Sequence, residues 1–89
     1  MVQRPRGTRD FIPEVMNRRL AFENLLENKA LSHGFKRVQT PIFETLDLFT
    51  AKSGPGIVKQ LYAFQDKSDR GLTLRPELTA PVMRMVSEE

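Results

Sequence analysis

Leu72-Thr-Leu-Arg-Pro-Glu-Leu-Thr-Ala-Pro-Val-Met-Arg84 is the most informative stretch of this sequence. The alternation at its start predicts a short strand, and the ring of Pro76 favours an extended Arg75 before it. Thr79 then provides an N-cap hydroxyl, and the apolar residues that follow are spaced as on one face of a helix. The stretch therefore predicts a strand that leads directly into a helix.

Three polar side chains, Arg75, Glu77 and Thr79, stand where the predicted strand meets the predicted helix. A carboxylate and a hydroxyl two residues apart at a strand end have the acceptors to hold a small cationic group. The same two residues also suit a structural role, in which Thr79 caps the helix and Glu77 complements its dipole. Their spacing leaves both roles open and favours the structural one.

A second motif, Arg6-Gly-Thr-Arg-Asp-Phe-Ile-Pro13, lies near the start of the chain. Together with the stretch from Leu74 to Pro81 it resembles the N-terminal part of the histidyl-tRNA synthetases, which are class II aminoacyl-tRNA synthetases. The resemblance runs over nearly the whole chain and is to archaeal members more than to bacterial ones, which usually have Gly where Leu78 stands. It implies an α+β fold, the N-terminal part of a catalytic core in which helices flank an antiparallel sheet.

The first half of the chain predicts a long helix and a strand. Proline at its start and Gly34 after its end bound a helix over 14–32. Strand-forming residues predict a strand near 35–40, and Pro41 belongs at its end because proline cannot donate to a ladder. Helix, glycine, strand and proline match the order and length of class II motif 1, here 14–43, which in the resembled family builds the dimer interface.

The second half predicts a hairpin and a further helix. Strands near 61–65 and 72–75, joined by a polar turn, form a β-hairpin over 61–75. Residues 77–89 form the last helix, which is expected to begin near position 79. All elements are expected to belong to one unit, residues 1–89, with 1–13 as a basic arm.

The connection over 51–60 contains Ser53-Gly-Pro-Gly56, which is typical of loops. It lacks the Lys-Ser/Thr pair of a phosphate-binding loop and the dinucleotide fingerprint. We interpret it as a mobile connection in which Lys52 and Lys59 are solvated.

The predicted long helix carries two apolar stripes. One comprises Val15, Phe22, Leu26 and Ala30 with Leu25 at its edge, and the other comprises Met16, Leu20 and Leu31. A helix covered on two sides and a helix with one wide core face both fit this pattern. A monomer would expose one stripe, and motif 1 of the resembled family pairs across a two-fold axis, so we expect a homodimer.

Composition argues against several classes of protein. The absence of cysteine leaves no disulfide or thiolate site, and a single histidine makes a metal site unexpected. No apolar run is long enough for a membrane span or a signal peptide, so the expected compartment is the cytoplasm, with no membrane partner. The net charge of +3 favours nucleic acid weakly, since 14 basic residues are interleaved with 11 acidic ones.

The resemblance implies an enzyme that activates histidine with ATP and Mg²⁺ and transfers it to tRNA(His). Glu77 and Thr79 fall where the family holds the α-ammonium of histidine, and Arg75 is expected to brace the pocket by pairing with a nearby carboxylate. Residues 1–89 lack motifs 2 and 3, the histidine-specific motifs and the anticodon-binding domain of the family. We therefore expect a fragment that is inactive alone and binds no ATP or Mg²⁺ by itself.

Two other functions stay open from the sequence. One is a non-catalytic, synthetase-like regulatory paralogue, and the other is a small basic RNA-binding module. Such paralogues often lose pocket residues, so the presence of both Glu77 and Thr79 favours the enzyme. The reading frame beyond Glu89 would separate these functions.

Overall fold

The computed structural model describes residues 1–89, which divide into two units, Met1–Arg37 and Val38–Glu89. The first unit contains helix α1 (Pro13–Ser32). The second contains β1 (Phe43–Thr45), α2 (Leu46–Ser53), a 3₁₀ helix (Pro55–Gln60), β2 (Ala63–Gln65), β3 (Gly71–Leu74) and α3 (Thr79–Glu88). The predicted α+β class is confirmed. None of the helices combines the length and the apolar character needed to cross a membrane.

Helix α1 confirms the prediction made from its end signals. Its first residue is a proline, and it ends in a Schellman motif. The N–H of Gly34 donates to the carbonyl of Leu31 at 3.1 Å, and the N–H of Phe35 donates to that of Ala30 at 3.2 Å. Gly34 has a φ of +88°, a conformation that costs a residue with a Cβ and suits glycine.

The apolar side chains of α1 are exposed within this chain. No residue of the helix is buried, and Phe22, Leu25 and Leu26 keep 54–67% of their surface accessible. Apolar area of this extent on one helix favours a covering partner. The expected self-association requires these apolar side chains to be exposed in the single chain.

The sheet is antiparallel, with strand order β1-β3-β2. Glu44 of β1 and Ala63 of β2 both lie opposite Thr73 of β3, so β3 is the central strand. The β2–β3 pair confirms the predicted hairpin, although β2 is two residues shorter than expected and β3 begins one residue earlier. The strand predicted near 35–40 is wrong: these residues pair with no strand of this chain, and the first paired strand is β1. Strand-forming residue types are not sufficient without a paired neighbour.

The segment 51–60 is more regular than the loop that we expected. Helix α2 continues to Ser53, and a 3₁₀ helix follows from Pro55. Gly54 separates them with a φ of +82°, and its carbonyl accepts the N–H of Ile57 at 3.3 Å. A left-handed glycine followed by a proline with fixed φ starts a new helical turn, which is why the glycines do not produce an irregular loop here.

The core of the second unit is small and partly polar. Its buried residues are Thr40, Glu44, Phe49, Thr73, Ala80 and Pro81. The buried carboxylate of Glu44 accepts two hydrogen bonds from Arg84 of α3, at 2.8 Å from Nε and 2.9 Å from Nη2. These bonds raise the pKa of the Arg84 guanidinium above its usual value. The bidentate pair ties β1 to α3 and so fixes the helix beside the sheet.

Candidate functional site

The carboxylate of Glu77 caps helix α3. Its Oε2 accepts the backbone N–H of Thr79 at 2.5 Å, and its Oε1 accepts that of Ala80 at 3.2 Å. The residue at the N-cap position is Leu78, whose side chain cannot accept a hydrogen bond. The prediction that Thr79 caps the helix is therefore wrong, because Thr79 is already the first helical residue. The expected complement between Glu77 and the helix N-terminus is confirmed.

A lysine from helix α2 also contacts Glu77. Lys52 Nζ lies 3.3 Å from Glu77 Oε1, which corrects our expectation that Lys52 is merely solvated. Burial raises the pKa of the Glu77 carboxyl, but hydrogen bonds from the backbone of Ala80 and Thr79 and from Lys52 outweigh it. The net effect is a pKa below the usual value, so the carboxylate is charged at neutral pH.

The hydroxyl of Thr79 makes no hydrogen bond within the chain, whereas its backbone N–H is held by Glu77. Thr79 lines an open groove of about 540 Å³ between α2 and α3, together with Leu48, Ala51, Lys52, Ala80, Met83, Arg84 and Ser87. Four of these eight lining residues are polar, namely Lys52, Thr79, Arg84 and Ser87. Glu77 does not line the groove, but its charged carboxylate contacts Lys52 and the backbone N–H of Thr79, which do.

Arg75 has a different environment from the other two residues predicted for the site. Its Nη1 donates to the carbonyls of Thr40 at 3.2 Å and Pro41 at 2.8 Å. The expected carboxylate partner is wrong, because Arg75 contacts backbone carbonyls instead; that it braces a histidine pocket stays a prediction. The stretch before β1 forms no strand, so its carbonyls remain free to accept. Arg75 lines a separate cleft of about 300 Å³ with Val38, Gln39, Thr40, Ile42, Leu78 and Val82.

The sequence is similar to proteins of one known family. The family model described as histidyl-tRNA synthetase matches residues 7–89. The chain belongs to the histidyl-tRNA synthetase family. The histidine–tRNA ligase of Archaeoglobus fulgidus is 57% identical over 88 residues, which are 99% of this chain and 22% of that protein. That of Methanospirillum hungatei is 53% identical over 89 residues, again 22% of its length. The chain thus spans about a fifth of these archaeal family members.

Solved structures of the family share the fold. Apo histidyl-tRNA synthetase of Staphylococcus aureus has a TM-score of 0.80 at 41% identity, over 96% of this chain and 20% of that chain. A Bacillus halodurans protein described as an ATP phosphoribosyltransferase regulatory subunit/histidyl-tRNA synthetase has a TM-score of 0.82 at 28% identity, over 100% and 23%. These matches confirm that the fold is that of the N-terminal region of the family's catalytic core.

Proposed function

We propose that this chain is the N-terminal part of a histidine–tRNA ligase, which activates histidine with ATP and transfers it to tRNA(His). The observation that carries the proposal is the junction between β3 and α3. There the charged carboxylate of Glu77 accepts the backbone N–H of Thr79, whose own hydroxyl makes no hydrogen bond. This combination occurs in a chain that is 53–57% identical to ligases of two archaea.

The proposed role of Glu77 and Thr79 is to bind the α-ammonium of histidine. An ammonium has three N–H donors, and a carboxylate with a hydroxyl accepts two of them with charge assistance. Two backbone N–H groups and Lys52 already donate to Glu77. Since two carboxylate oxygens offer about four acceptor positions, room remains for one further donor. The amides of α3 hold the carboxylate in a fixed orientation, which lowers the cost of binding.

We assign no contact with ATP or Mg²⁺ to Glu77 or Thr79. ATP and Mg²⁺ are substrates or ligands of the proposed whole enzyme. Residues 1–89 contain no group of three or more His, Asp or Glu side chains that could hold a metal ion, so we assign no step to Mg²⁺ here. The proposed contribution of Arg75 is to hold the backbone at Thr40 and Pro41. Pro41 belongs to the proposed dimer motif.

A chimaera tests the proposal directly. This chain replaces the matching segment of the Archaeoglobus fulgidus ligase, and histidine-dependent exchange between ATP and pyrophosphate is measured. We expect exchange with histidine and none with other amino acids, while the 89-residue chain alone shows none. A chimaera that melts like the ligase but exchanges nothing would contradict the proposal. That result would favour the regulatory role that the description of the Bacillus halodurans neighbour also names.

We also propose that the chain forms a homodimer through α1, where Phe22, Leu25 and Leu26 are exposed. Sedimentation equilibrium at micromolar concentration is expected to give about twice the monomer mass of 10.2 kDa. Leu25→Glu places a charge on the apolar stripe and should shift the chain to monomer. Asn17→Glu makes the same change in charge at a polar position and should leave the dimer intact. A monomer mass for the unaltered chain at every concentration would contradict this.

A further inference from the structure

The positive charge of the chain is concentrated in its first unit. Residues 1–37 carry eight basic and four acidic residues, a net charge of +4. Residues 38–89 carry six basic and seven acidic residues, a net charge of −1. The modest +3 of the whole chain therefore hides a basic unit beside a nearly neutral one. A concentrated positive charge attracts polyanions more strongly than the same charge spread evenly.

The arginines of the two units differ in what they contact. All those of the second unit, Arg70, Arg75 and Arg84, are bound to carboxylates or backbone carbonyls of the same unit. In the first unit three arginines, Arg6, Arg9 and Arg18, form neither a hydrogen bond nor an ion pair. Arg6 and Arg9 both lie in the exposed arm, residues 1–13. Their guanidinium groups have donors available for a ligand.

The arm has a defined shape around Arg6. Arg4 Nε donates to the carbonyl of Thr8 at 2.9 Å, and the N–H of Thr8 donates to that of Pro5 at 3.2 Å. Gly7 permits this turn with a φ of +85°. The result is an open pocket with a volume of about 660 Å³. It is lined by Gln3, Arg4, Pro5, Arg6, Gly7, Thr8 and Asp10. Asp10 is the single carboxylate in that pocket.

Arg9 is positioned by stacking rather than by an acidic partner. Its guanidinium carbon lies 5.2 Å from the centre of the Phe11 ring, and that of Arg19 lies 4.8 Å from it. Stacking of this kind orients the guanidinium plane while leaving its N–H groups available. Arg19 also donates to Glu23 at 2.9 Å, so Arg9 is the free member of the stack.

We propose that the arm binds the phosphate backbone of RNA through Arg6 and Arg9. Guanidinium groups match the oxygens of a phosphodiester in a bidentate geometry, and arginine binds them better than lysine does. The arm has one aromatic ring, already covered by two arginines, so it contacts the backbone rather than stacked bases. The identity of the RNA rests on the proposed function: if the chain is part of a histidine–tRNA ligase, the RNA is tRNA(His).

Two matched double variants of the 89-residue chain test the proposal. Arg6→Gln with Arg9→Gln removes two charges from the arm, and Lys59→Gln with Lys67→Gln removes two from the second unit, where neither lysine has a polar contact. Binding of a fluorescent tRNA(His) transcript is measured by anisotropy at several salt concentrations. The arm pair should weaken binding roughly tenfold near 0.1 M salt. It should also reduce the slope of log Kd against log salt concentration by about two. The lysine pair should change affinity less than twofold.

Three results would overturn the proposal. The first is that the unaltered chain binds no RNA. The second is that both pairs of substitutions weaken binding equally, which would indicate that only the net charge of the chain matters. In the third, the arm pair weakens binding of pyrophosphate but not of RNA, which would indicate a site for free phosphates. Circular dichroism checks that all variants keep their helix content. The RNA-binding assay uses neither histidine nor ATP. A negative result in it therefore does not bear on pyrophosphate exchange by the chimaera, and a chimaera without exchange activity does not bear on RNA binding by the arm.

Discussion

Replacement of Glu77 by glutamine is expected to lower the histidine-dependent kcat/KM of the chimaera roughly tenfold to a hundredfold. The amide keeps the shape of the carboxylate but loses the negative charge that meets the α-ammonium. Its carbonyl oxygen can still accept the N–H groups of Thr79 and Ala80, which now bond to the carboxylate at 2.5 and 3.2 Å. The melting temperature should therefore change little while exchange falls. Pyrophosphate exchange over a range of histidine concentrations gives the kinetic value.

The control for this variant is Glu89→Gln, which makes the same chemical change at the exposed C-terminal end of α3. It should change kcat/KM less than twofold. If Glu77→Gln altered neither the exchange rate nor its histidine dependence, the substrate role would be wrong. Glu77 would then act only as the cap of α3. A loss of melting temperature without a change in kcat/KM would lead to the same conclusion.

Local chemistry made α1 and the hairpin predictable. The proline at the start of α1 and Gly34 after its end act within a few residues, and the structure places both ends where they indicate. The turn between β2 and β3 is similarly local. Asp66 Oδ1 accepts the backbone N–H of Ser68 at 2.8 Å and of Arg70 at 2.9 Å. Such signals need no knowledge of the rest of the fold.

Partners that are distant in the sequence were not predictable in the same way. Strand formers near 35–40 form a strand only where another strand pairs with them, and no strand of this chain does so, although β1 and β2 are edge strands. The partner of Glu77 on α2 is 25 residues away, and the carbonyl partners of Arg75 are 34 and 35 residues away. Nothing in the spacing of the sequence indicates that Lys52 reaches the candidate site.

The helix cap illustrates a middle case. The residue types at the start of α3 correctly indicated a helix N-terminus and a capping acceptor, but the acceptor is Glu77 rather than Thr79. A hydroxyl and a carboxylate two residues apart are both able to cap, and the choice depends on where the backbone enters the helix. Because Glu77 caps, the hydroxyl of Thr79 is left free, and this is what makes the proposed ammonium site possible.

The largest effect on stability is expected from Phe49→Ala. Phe49 is 3% exposed and is the only large apolar side chain among the buried residues of the second unit. Its truncation should lower the free energy of unfolding by about 3–5 kcal/mol, through lost apolar burial and the cavity left behind. Small domains are stable by only about 5–15 kcal/mol, so this is a large share of the total. Urea unfolding followed by circular dichroism measures the change.

The matched control is Phe35→Ala, the same truncation at a side chain that is 68% exposed. It should cost less than about 1 kcal/mol, because little apolar surface is returned to water. If Phe49→Ala leaves no folded state to measure, Phe49→Leu keeps most of the volume and should cost roughly 1.5 kcal/mol or less. Equal unfolding midpoints for the Phe49 and Phe35 variants would mean that burial of Phe49 contributes no more than an exposed ring. The second unit would then depend chiefly on the Glu44–Arg84 pair and its strand ladder, because no other buried apolar side chain approaches Phe49 in size.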